Sequence, residues 1–329
     1  MRTRKLSALV LATLMVVFCF GTAMAAKYEF KLASAVSDEH PYGMGQKFFK
    51  EEVEKRAKGE VVIHNYFATL GGSERDLLES TQHGAIDMSL VATSVVSAFE
   101  KKYTLFNFPY LFDTPEHAYK ALDGQIGKDL EALAEKQGLK VLGWYNNGVH
   151  QVTNSKRPIN NIADMKNLKL RCMESPVIIG TWKSMGAVPT PMALGETFTA
   201  LQQGTTDGQE NATTSIWANK YYEVQKYLAI TNHMFLPGPV AMNKKKFDAL
   251  PQNIQDILVE AGKISTKMQR DEWARQDALA VQRMKDYGLT VTYPELGPFR
   301  EAVKVVYDQF AKEMLGDSIG WLEQIKAMK

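Results

Sequence analysis

Arg171 carries the most chemistry in the least ordinary setting. It ends an apolar, strand-like run after Leu168-Lys169-Leu170 and is followed by Cys172 and Met173. A guanidinium is a planar fork suited to bidentate recognition of a carboxylate, although the same pattern fits a solvated arginine or an internal salt bridge. The six histidines, His40, His64, His83, His117, His150 and His233, show no metal-ligand spacing, and no CxxC, HExxH, GxSxG or Walker loop occurs. Gly43 and Gly45 lack the third glycine of a dinucleotide fingerprint and do not lie directly between strand and helix. With no motif for a nucleophile, metal or cofactor, the expectation is a binding protein without cofactor or metal rather than an enzyme.

The elements that must position Arg171 are legible from hydrophobic period. Tyr28 to Ala33 alternates as a strand does, His40 to Lys58 repeats as a helix stopped by Gly59, and Val61 to Phe67 is a second strand. Ser73 caps a further helix, Ile86 to Val91 is a strand, Ala118 to Gln137 a helix and Leu139 to Trp144 a strand. A second α/β stretch begins near His150, with a turn-rich crossing at Asn154 to Pro158. It continues through strand Leu168 to Met173, helix Pro176 to Met185, extended Val188 to Pro191 and a short helix Glu196 to Gln203. Strands alternating with helices imply parallel βαβ units, and two such stretches imply two domains with a ligand cleft between them. Strand carboxyl ends are where open α/β sheets gather ligands, and Arg171 stands at one. From Pro251 to Tyr287 a helical pattern runs on with only Gly262 to weaken it. It is either a surface helix bent at that glycine or a helix spanning both domains.

Arg2, Arg4 and Lys5, the apolar run Leu6 to Phe20 and Ala23-Met24-Ala25 compose a secretory leader over residues 1–25. Of 39 lysines and arginines those three lie in the leader, leaving 36 against 37 acidic residues. That balance gives no reason to expect a nucleic-acid partner. Cys172 is then the sole cysteine, expected to act as a small buried hydrophobe.

The stretches LGGSERDLLESTQHGAIDMS, FPYLFDTPEHA, NSKRPINNIADMKNLKLRCMESP, GAVPTPMALGETFTALQQGTTDGQEN and YYEVQKYLAITNH resemble the solute-binding proteins of TRAP transporters, the DctP-like group. The likeness covers essentially all of the chain after residue 25. It implies a periplasmic receptor, a monomer, that captures a small organic acid and delivers it to TRAP membrane permease subunits driven by an ion gradient. It also implies the two-domain periplasmic binding protein fold, closing on its ligand, with the long helix spanning both domains. The expected division is 26–148 plus about 237–276, and 149–236 plus about 277–329. In that family the arginine matched by Arg171 pairs with the ligand carboxylate, the asparagine matched by Asn211 adds a hydrogen bond, and the residue matched by Glu74 faces the hydroxyl end. Many members carry an arginine where this chain has His150 and Gln151, which points to one anionic contact rather than two. His40 stands at the first strand–helix junction, Met173 and Trp217 are candidate apolar or stacking walls, and Asp207 and Glu210 of DGQE could serve ligand or fold. The expected ligand is a hydroxylated monocarboxylate, a sugar acid such as a uronate, with a C4-dicarboxylate or keto acid as the alternative. A signalling receptor subunit, or an exported α/β enzyme, is the reading from a different class.

Overall fold

The computed structural model describes residues 26–68 and 72–328, so the leader expected over 1–25 lies outside it. The first lobe grows from β1 (Tyr28–Ser34), β2 (Val61–Phe67) and β3 (Met88–Leu90), with β1 parallel to both others. The helix Pro41–Ala57 joins β1 to β2. His40 caps it by accepting the Tyr42 N–H, Pro41 supplies its first turn, and it ends on Lys58 and Gly59, both with positive φ. The helix Glu74–Gln82 starts from a capping box in which Ser73 and Asp76 bond each other's main chain.

Two long strands then run through the whole molecule. β4 (Leu139–Asn154) and β8 (Tyr227–Asn243) pair antiparallel from Leu139↔Asn243 to Asn154↔Tyr227. The second lobe adds β5 (Lys169–Cys172), β6 (Val188–Pro191) and β7 (Gly208–Ala212), with β5 parallel to β6 and β7. β9 (Thr290–Thr292) lies against the start of β8. The order is β2-β1-β3-β8-β4-β7-β5-β6, so β3 leans on one end of the long pair and β7 on the other. The fold is the expected two-lobed α/β arrangement, but the strand leading to its junction is longer than expected. The strand begun at Leu139 continues, with three register shifts, to Asn154, and the turn-rich stretch follows it from Ser155. β8 does not show in the hydrophobic pattern because Pro237-Gly238-Pro239 interrupts it. Gly238 is required there, since a Cβ would stand 2.1 Å from the Tyr42 hydroxyl.

The long helix Gln252–Tyr287 is continuous for 36 residues, about 54 Å at 1.5 Å per residue. It does not break at Gly262. That glycine lets helix and sheet touch, because a Cβ would sit 2.0 Å from the Leu142 carbonyl oxygen. The helix packs on Pro41–Ala57 of the first lobe, on β4, and on Thr213–Ala218 of the second, and so spans both. Gln269 holds Asn146 of β4 by both main-chain groups, accepting its N–H at 2.7 Å and donating to its carbonyl at 2.8 Å. The helix expected over Ala118 to Gln137 is two, Pro115–Leu122 and Gln125–Lys136, separated at Asp123-Gly124. Phe30, Leu32, Phe49, Ile63 and Leu258 lie in one buried core, and Leu170, Val177, Trp182, Phe299 and Leu315 belong to another. No helix among the described residues is long and apolar enough to cross a membrane.

Candidate functional site

Between the lobes lies a narrow pocket. Arg171, Asn211, Glu74, His40 and Met173 all line it, together with Val36, Tyr42, Asn147, Leu194 and Ser215. Arg171 is 2 % exposed on β5. Its Nε and Nη2 donate to the Met192 carbonyl at 3.1 and 2.9 Å, which fixes the plane of the guanidinium. Its Nη1 is buried with no partner, a donor left open toward the cavity. Asn211 shares that sheet face, because Arg171 is in register with Gln209, two residues before it. Asn211 Oδ1 accepts the Ala212 N–H at 3.0 Å, so its amide NH₂ is the end left to donate. The outcome is two convergent donors, one of them fully charged.

The opposite wall belongs to the first lobe. Glu74 opens its helix and accepts the Ala92 N–H at 3.0 Å. Burial pushes its carboxyl above the usual carboxylate range, against the pull of the Ala92 N–H and the charge of Arg171. His40 meets Ser215 of the second lobe, Nε2 to Oγ, at 2.7 Å. Burial drives its imidazole pKa down to about 3. Met173 receives the Ser94 hydroxyl at its sulfur, 2.7 Å away. The Tyr42 hydroxyl is buried without a partner. Sequence reasoning missed Tyr42, Asn147 and Ser215. Tyr42 lies two residues from His40, but only the folded cap turns both toward the cavity.

His150, Gln151 and Trp217, expected at the site, are not among the residues that line this pocket. His150 is in register with Ala212, so strand alternation puts it with Glu210 on the face away from Asn211. There it bonds the Glu210 carboxylate, and His233 approaches the same oxygen at 3.7 Å. The three ligand-capable atoms lie within 4.8 Å of one another, a grouping that could hold a metal ion. They come from β4, β7 and β8, which is why linear spacing shows nothing. Burial alone would raise the Glu210 pKa, but the two imidazoles outweigh it and hold the carboxyl at about 2. His233 also meets Thr231 Oγ1 at 2.9 Å, and burial lowers its pKa. Gln151 shares Asn211's face but exchanges hydrogen bonds with Asn232 at 2.7 and 2.9 Å. Trp217 lies two residues, about 200° of helix, from Ser215 and stacks on Tyr222 with centroids 4.4 Å apart. Cys172 is buried, its thiol pushed up to about 12 by burial. A larger open groove runs outside the long helix beside Trp144 and Lys263; in it Arg270 is held bidentate by Asp123 at 2.6 and 2.8 Å.

The chain matches the family of bacterial extracellular solute-binding proteins, family 7 (DctP), over residues 32–313. It is 33% identical to the 2,3-diketo-L-gulonate-binding periplasmic protein YiaO of Escherichia coli over 297 residues, 90% of each chain. A TRAP periplasmic solute-binding protein from a Polaromonas species, bound to D-erythronate, superposes with a TM-score of 0.87 at 35% identity. That match covers 91% of this chain and 99% of the other. A Sulfitobacter TRAP periplasmic solute-binding protein with bound β-D-galacturonate gives 0.86 at 29% identity, covering 90% and 98%. These are substrate-binding receptors, and the present protein is a receptor and not an enzyme. A pocket between the lobes, a buried arginine with an open donor, and agreement along nearly the whole chain lead to one conclusion: this chain belongs to the DctP family of solute-binding proteins of TRAP transporters.

Proposed function

We propose that the protein captures a hydroxylated monocarboxylate, a sugar acid such as a uronate, in the periplasm and delivers it to TRAP permease subunits in the membrane. The observation that carries this reading is the charge pattern of the cavity. Arg171 is the sole cation among its described lining residues, and Glu74 stands there as a carboxyl group. A ligand carboxylate on Arg171 Nη1 and Asn211 takes up the open donors, while ligand hydroxyls donate to Glu74 and meet the Tyr42 hydroxyl. A dicarboxylate would have to set its second charge near Glu74 without a counter-ion, at the cost that buried like charges carry. The sugar-acid ligands of the E. coli, Polaromonas and Sulfitobacter relatives support the same class. The lobes are proposed to divide the chain as 26–148 plus about 237–276 and 149–236 plus about 277–329, and to close on the acid. Titration calorimetry with D-glucuronate, D-galacturonate, D-erythronate and succinate tests the ligand class. The sugar acids are expected to bind and succinate to fail; succinate binding more tightly than all three would refute the reading.

A further inference from the structure

His40 does more than line the cavity. It caps a helix of the first lobe, and Ser215 lies 175 positions along the chain on a helix of the second. Both residues are buried. The Tyr42 main-chain N–H donates to Nδ1 at 3.0 Å, so Nδ1 carries no proton. The neutral ring therefore has its hydrogen on Nε2 and donates it to Ser215 Oγ at 2.7 Å. An imidazolium has hydrogens on both nitrogens and could not accept from Tyr42, so it would give up the helix cap. A single protonation state satisfies both bonds.

We propose that His40 is a positioning residue that couples closing of the lobes to loss of a proton, its neutral ring bolting Ser215 of the second lobe to the helix cap of the first. The proposal rests on the ligand reading above, for which it shapes the cavity around the acid. Glu74 and Arg171 share the cavity and oppose each other in charge. Tyr42 presents its ring edge-on at 5.4 Å. Asp38 is drawn to Lys47 at 2.8 Å and Glu39 is exposed. Behind Ser215, Asp277 of the long helix bonds Thr213. In the closed lobes burial takes the imidazole pKa to about 3, whereas an exposed imidazole titrates near ~6.5. Closing thus expels a proton between about pH 3 and ~6.5, and within that window acid favours the open form. This predicts an affinity about 30-fold weaker at pH 5 than at pH 7.5. Glu74 works in the opposite sense, since burial raises its pKa and closing takes a proton up.

The test measures the affinity of the full chain for D-galacturonate by calorimetry at pH 7.5 and pH 5. In parallel, distances between spin labels at Lys55→Cys and Lys183→Cys, exposed positions on the two lobes, are read in ligand-free protein. Wild type is expected to lose affinity on acidification and to shift toward longer label distances. Ser215→Ala should weaken binding about fivefold at pH 7.5, the worth of one neutral hydrogen bond, and deplete the short distances. His40→Gln, which keeps a donor and cannot titrate, should abolish the acid-induced fall. Absence of D-galacturonate binding would count against the ligand reading alone, because the label distances still decide on His40. Distances that are identical in all three proteins at both pH values overturn the proposal.

Discussion

β7 turns Asn211 to one side and Glu210 to the other, and the two sides treat buried polarity differently. On Asn211's side Arg171 is tied down through Nε and Nη2, but Nη1 has no partner. On Glu210's side the carboxylate is taken by His150 and approached by His233, which Thr231 orients in turn. Both regions are buried and charged, so burial does not separate binding from framework. Each also leaves buried polar atoms unpaired, Nη1 of Arg171 on one side and Oε1 of Glu210 with Nε2 of His150 and His233 on the other, so the distinction is whether the charge has hydrogen-bonded partners that can carry the opposite charge. A buried guanidinium hydrogen-bonded only to a neutral carbonyl, beside a cavity, suits a ligand anion, whereas a carboxylate held by its own histidines belongs to the scaffold.

The contrast is most strongly challenged at Glu210. Glu210→Gln removes the charge from a buried cluster while keeping its shape, and should lower stability by about 3–5 kcal/mol in urea unfolding. Unchanged stability with lost ligand binding would invert the assignment of the two faces. Arg171→Ala comes next, with binding weakened by about 2–5 kcal/mol, roughly 30- to several-thousand-fold, at an unaltered melting temperature. Arg171→Lys should fail nearly as badly, because an ammonium cannot hold the Met192 carbonyl and a carboxylate in one plane. Calorimetric affinity close to wild type in either variant removes Arg171 from the site.

Acid provides a graded measurement of the same contrast. The Glu210 carboxyl sits at about 2 in the folded chain against an ordinary 4.5, so its contribution to stability is present above 4.5 and is lost as the pH falls toward 2. His233 and His40, lowered by burial, lose theirs as the pH falls below ~6.5. Thermal melts from pH 7 to pH 3 should show a steady decline, with the segment below 4.5 flattened in Glu210→Gln. A variant as steep as wild type there would mean the carboxylate is not held by its histidines. The smallest effect belongs to Trp217→Ala, whose ring stacks on Tyr222 outside the cavity. Its ligand affinity should change less than about twofold; a larger loss would place the tryptophan at the ligand.

What could be read from residues alone divides along the same physical line. Arg171 stood out because an arginine among Leu170, Cys172 and Met173 must be paid for by a partner, and that partner can be a ligand. The helix cap at Ser73 and the length of the Gln252–Tyr287 helix were legible because each depends on local chemistry and period. The side on which His150 points was not, because it depends on the register of β4 against β7, and neither β7 nor β8 announces itself in hydrophobic alternation. Tyr42 and Ser215 were illegible for a related reason, since a hydroxyl signals a site only when its burial and missing or distant partner are known.

Gln269 clasps the main chain of Asn146 midway along β4, beside the register shift between Asn146 and Gly148. A rotation of one lobe against the other must bend the long strands somewhere, and at an irregular register the ladder is weakest. The side chain from the helix supplies both hydrogen bonds at that residue. In the proposed closure the bend would turn about a fixed pin without exposing bare backbone, with the long helix as the axle on which that pin is mounted.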